Sequence, residues 1–110
     1  MIYQLFFYVP KSHLETVKNA IFGAGAGRLG NYSHCSWETE GIGQFMPLPG
    51  SNPYVGKENF LEKIPEYKVE TICSENCLNA VIQALLAAHP YETPAYGINV
   101  GARHSIFPFD

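Results

Sequence analysis

From Ile2 to Val9 apolar side chains fill nearly every position. On a strand, Tyr3, Leu5, Phe7 and Val9 share one face, and Ile2, Phe6 and Tyr8 the other, with Gln4 between them. A strand apolar on both faces is expected to be covered on both. Ser12 and Glu15 have the S-x-x-E spacing of a capping box, which predicts a helix start. Leu14, Val17, Ile21 and Ala24 then recur at helical spacing. Glycines at 23, 25, 27 and 30 stop that helix.

Alternation resumes over 31–39 and predicts a second strand. A turn near Glu40-Gly41 and a further extended piece over 43–48 follow. Pro47, Pro49, Gly50, Pro53 and Gly56 make the middle of the chain a structured loop. The segment 64–72 is the next strand, and Pro65 near its start implies an edge or a bulge there. Ser74 is placed to cap a second helix running to about His89. Its apolar positions Leu78, Val81, Ile82, Leu85 and Leu86 lie three or four residues apart or adjacent, on one helix face. Tyr96, Ile98 and Val100 alternate in a last strand, and Phe107 and Phe109 mark a tail.

The predicted order is β-α-β-β-α-β. It points to an α+β, ferredoxin-like sandwich over 1–101, with two helices on one face of an antiparallel sheet and a tail over 102–110. Helices then cover only one sheet face. The outer apolar face of the first strand calls for another cover, most simply a second subunit.

At 110 residues, one domain is expected. A formal net charge of −3, with only Arg28, Arg103 and five scattered lysines, gives no electrostatic case for nucleic acid or an anionic membrane. Pro10 ends the apolar start far short of the ~20 residues of a membrane span. Cys35, Cys73 and Cys77 form neither a disulfide framework nor a complete zinc pattern. A cytoplasmic protein is the expectation.

The stretch from Gly25 to Gly30 matches G-x-G-x-x-G. A dinucleotide site needs a strand before and a helix after it, and here the order is reversed. The glycines read instead as a helix stop and a tight turn. Between two prolines, His89-Pro90-Tyr91-Glu92-Thr93-Pro94 forms a rigid corner that aims polar side chains in fixed directions. The alternative is a stiff connector. The loop 50–56, with Ser51, Asn52 and Tyr54, could line a ligand pocket with Tyr91 and Tyr96, or pack on itself.

His34 falls on the second predicted strand, where it could meet His89 and Glu92. Such a set would favour zinc, copper or nickel over magnesium. Histidines held by structural hydrogen bonds are the alternative. No Ser-His-Asp order, phosphate loop or metalloprotease helix occurs, and no two of the glutamates pair as acid and base. No catalytic residue is assigned.

Taken together, several motifs resemble the inserted domain of YqfO-like proteins. These belong to the NGG-interacting-factor-three-like family, also called GTP cyclohydrolase type 2 homologues. The motifs are 24–32, His34-Cys35-Ser36, 43–48, 50–56 and His89-Pro90-Tyr91-Glu92. The resemblance runs from about residue 1 to residue 101. The His-Pro-Tyr-Glu-x-Pro ending is also similar to CutA, a trimeric relative of the PII signalling proteins. This implies a CutA/PII-like version of the fold, in which three subunits pack their open sheet faces together. The larger family members carry a dinuclear metal site on flanking domains not present in this sequence. That site and any hydrolase activity are therefore not carried over.

The resulting expectation is a non-catalytic, trimeric binding or regulatory module, sensing a small ligand or a divalent transition metal in clefts between subunits. A structural or capping partner of a larger protein is the alternative, and a metal-dependent, hydrolase-related enzyme ranks third.

Overall fold

The computed structural model describes residues 1–100. The predicted tail lies outside them. Four strands and two helices follow one another as β1 (Ile2–Pro10), α1 (Leu14–Gly23), β2 (Ser36–Phe45), β3 (Glu62–Ser74), α2 (Leu78–Ala88) and β4 (Tyr96–Val100). The strands form one sheet in the order β2-β3-β1-β4, antiparallel at every pairing. This is the expected α+β, ferredoxin-like arrangement.

Alternation along β1 decides which face the helices cover. Leu5, Phe7 and Val9 are fully buried and join Val17, Ile21, Val69, Val81 and Leu85 in the core. Phe6 and Tyr8 point the other way. In register with them stand Glu70 and Lys68 of β3, and Trp37 and Thr39 of β2. Phe6 lies over Gly97 of β4, where a Cβ would collide with its ring. The Lys68 ammonium sits 5.2 Å from the Phe6 ring centroid. This second face is half-buried at Phe6 and Tyr8 and open at Trp37, which is 51% exposed.

Several local expectations need correction. Neither helix is capped by a side chain: each begins through a short 3-10 turn, Lys11–His13 or Glu75–Cys77. The Ser12 hydroxyl bonds its neighbour, His13 Nδ1, at 2.8 Å instead of closing a capping box. Ser74 does precede the second turn, in extended conformation, but without a capping bond. There is no turn at Glu40-Gly41. β2 runs straight through it, because β3 pairs with it continuously from Ser36↔Thr71 to Phe45↔Glu62.

The predicted strand over 31–39 begins only at Ser36. His34 has φ +60°, a left-handed conformation that breaks strand alternation. Pro65 lies past the end of β1, where β3 keeps only β2 as a neighbour, so the missing N–H disturbs no second ladder.

The glycine-rich turn is closed by its own backbone. Gly27 N–H donates to Ile72 O at 2.8 Å, and Cys35 N–H donates to Gly27 O at 2.9 Å. The Thr71 hydroxyl donates to Cys35 O at 2.7 Å. Gly27 has φ +81°, and a Cβ there would meet Cys35 N at 2.9 Å, so both conformation and space require glycine.

Candidate functional site

At the far end of the sheet, two irregular segments meet. The first follows β2. Pro47 O accepts from Asn59 N–H at 2.7 Å, and Leu48 O accepts from both Ser51 N–H and the Ser51 hydroxyl, at 3.0 and 2.7 Å. The loop is thus held by local bonds. The second segment is the proline corner. α2 ends at Ala88, and His89 is extended with ψ 136°, as expected for a residue before proline.

His89 anchors the corner. It is 6% exposed. Its Nδ1 accepts from Tyr91 N–H at 3.1 Å, and Nε2 lies 2.7 Å from Tyr8 O. An N–H donor at one nitrogen and a carbonyl at the other define the neutral, Nε2-protonated tautomer. Burial, more than any other influence, also pushes its pKa below 6.5, against the opposing pull of the Tyr8 carbonyl and Glu66.

Tyr91 then projects between the segments. Its hydroxyl donates to Glu66 Oε2 at 2.6 Å, and its ring centroid lies 6.2 Å from those of both Phe45 and Tyr54. Burial first, and the Glu66 carboxylate next, raise its pKa, so the phenol stays neutral and donating. Across the gap, Asn52 N–H donates to Glu92 Oε2 at 3.1 Å.

Between these groups lies a cavity of about 480 Å³. Ser51, Tyr54, Tyr91 and Glu92, four of the residues singled out from sequence, line it. Asn52 contributes its backbone N–H at the rim, and Tyr96 starts β4 opposite Phe7 without lining the cavity. Sequence reasoning missed Tyr8, Phe45, Leu48 and Glu66. Tyr8 was read only as part of an open sheet face. Glu66 reaches the site through the β2–β3 register, which has no local signal.

Within a single chain, the described residues do not gather His34, His89 and Glu92 into one site. His34 is exposed, bonded to the Ser33 hydroxyl at 2.8 Å and packed 5.1 Å from the Phe22 ring, beside the glycine turn. Both nitrogens of His89 are engaged, and Glu92 faces the cavity. Among the described residues, no three His, Cys, Asp or Glu side chains stand close enough to hold a metal ion.

A helix-backed antiparallel sheet with this strand order defines the chain as a ferredoxin-like α+β domain, a fold it shares with CutA proteins. The fold matches the periplasmic divalent cation tolerance protein CutA from Archaeoglobus fulgidus with a TM-score of 0.66, over 96% of this chain and 88% of that one, at 14% identity. Closer in sequence is a Bacillus cereus protein related to NIF3, with a TM-score of 0.76 and 39% identity over 88% of this chain and 24% of that one. Proteins named GTP cyclohydrolase 1 type 2 homolog are also similar. The one from Halalkalibacterium halodurans is 44% identical over 97 residues, covering 88% of this chain and 26% of its own length. The one from Mycobacterium leprae is 48% identical over 91 residues, covering 83% and 24%. No family model matches the chain. The chain is thus similar to one stretch of these YqfO-like, NIF3-related proteins, and it spans about a quarter of the length of the curated relatives it matches. No helix among the described residues is long and apolar enough to cross a membrane.

Proposed function

We propose that this domain is a non-catalytic, homo-oligomeric binding module whose ligand seat is the cavity between the loop 47–55 and the corner 91–95. The observation that carries this reading is the cavity itself. Its volume falls in the range of small-molecule sites, ~300–1,000 Å³, and its walls are apolar and aromatic with a few fixed polar groups. Those groups hold one another: Glu66 takes the Tyr91 hydroxyl and Glu92 the Asn52 amide. None is arranged as a nucleophile beside a base, so binding rather than reaction fits the geometry.

The half-covered sheet face bearing Phe6, Tyr8 and Trp37 suits self-association, with a trimer as the preferred form. A metal belongs to this reading only across subunits, through His34 Nε2 and Glu92 Oε1, which lie outside the hydrogen bonds of the described residues. Zinc titration of the oligomer, with the His34→Ala variant as control, decides that point.

A capping or structural role beside a larger protein is favoured by one observation. The chain corresponds to about a quarter of its curated relatives, so it has the dimensions of a domain that works next to others. A thermal-shift screen of small molecules separates the two readings. Stabilisation lost in the Tyr54→Ala variant supports the ligand seat. No stabilising compound, together with specific co-purification of one larger protein, supports the capping role.

A further inference from the structure

We infer that the cavity takes a small organic cation, of the alkylammonium class, with an apolar body. This rests on the reading of the cavity as a ligand seat. Two independent features of its lining agree. The first is charge: among the described residues, Glu66 and Glu92 are the charged ones that line it, and no Lys, Arg or His does so. Glu66 is held in place. Its Oε2 accepts from the Tyr91 hydroxyl, and its other oxygen lies against Gly43, where a Cβ would collide with it. The second is the wall: Phe45 and Tyr54 flank Tyr91 with ring centroids 6.2 Å from it, and Tyr8 adds a fourth aromatic side chain.

Aromatic faces attract cations through the ring quadrupole, and most strongly where water is excluded. An anion would enter an apolar space beside two carboxylates and lose hydration without gaining a partner. A neutral guest would fill the walls but give the Glu66 and Glu92 carboxylates, each holding one hydrogen bond from the described residues, no opposite charge. A bare metal ion needs several close donor atoms, which the described residues do not assemble here. An alkylammonium ion satisfies both features at once, its carbon surface on the rings and its charge beside Glu66 and Glu92.

The test uses the full chain, isotope-labelled, followed by NMR at the ring signals of Phe45, Tyr54 and Tyr91. Three probes of similar size are titrated: choline, the neutral isostere with carbon in place of nitrogen, and the tert-butylacetate anion. Choline is expected to move the ring signals and to bind on the order of tenfold tighter than the isostere, with no saturable effect of the anion. Glu66→Gln keeps an acceptor for the Tyr91 hydroxyl, so it should weaken choline several-fold and leave the isostere unchanged. Equal or tighter binding of the isostere, or binding of the anion, overturns the cation assignment while leaving the cavity a ligand seat. Failure of all three probes to move the rings overturns both.

Discussion

The corner depends on one imidazole. Replacing His89 with Ala removes the donor to Tyr8 O and the acceptor for Tyr91 N–H and leaves a void. The expected cost is about 2–3 kcal/mol in chemical denaturation. The pH dependence has a definite sign. The pKa of folded His89 lies below the unfolded value of 6.5, so between the two the unfolded chain binds more protons. The contribution is complete above pH 6.5 and is lost as the pH falls from there through the folded-state pKa. Denaturant midpoints should therefore drop as the pH falls below about 6.5, and less so in His89→Gln. An unchanged slope in that variant would remove His89 as the source.

At this scale the chain was readable where a residue's neighbours in sequence dictate its conformation. Pro90 announced that the second helix would end at about His89, and it ends at Ala88. His34 was misread because polar and aromatic alternation suggested a strand, whereas the tight turn closed by Gly27 and Cys35 forces it to positive φ.

Among the elements, the segment after α1 separates two kinds of glycine. Gly23 ends the helix with negative φ and open space around its Cα, so Gly23→Ala should be neutral or stabilising by up to ~1 kcal/mol. Gly27→Ala must adopt φ +81° against Cys35 N and the Phe22 ring, and should cost about 1–3 kcal/mol. Thermal unfolding of the two variants checks the pair, and similar effects would contradict it. Element order was legible because two helical periodicities, the apolar run of the first strand and the alternation of the last one are strong local signals. The extent of the β2–β3 hairpin was not. Glu40-Gly41 resembles a turn locally, but pairing with Tyr67 and Glu66 keeps it extended, and that information lies in distant residues. The same register places Glu66 beside Tyr91, so half of the site was hidden with it.

For the whole molecule, the apolar pattern of β1 carries the oligomer proposal. Leu5, Phe7 and Val9 are consumed by the helices, and Phe6 and Tyr8 leave a second face beside Trp37. Light scattering should give a multiple of the 12.2 kDa chain mass, a trimer preferred, and Trp37→Glu should shift it toward one chain. A wild-type monomer across a wide concentration range would contradict this. The central claim concerns the cavity, and the small-molecule screen read residue by residue tests it most directly. Amide and ring shifts from binding compounds are predicted to fall on 45–55, Glu66 and 91–95, and to vanish in Tyr54→Ala. Shifts confined to other surfaces, or binding that survives in that variant with the same map, would contradict the assignment of this cavity as the ligand seat.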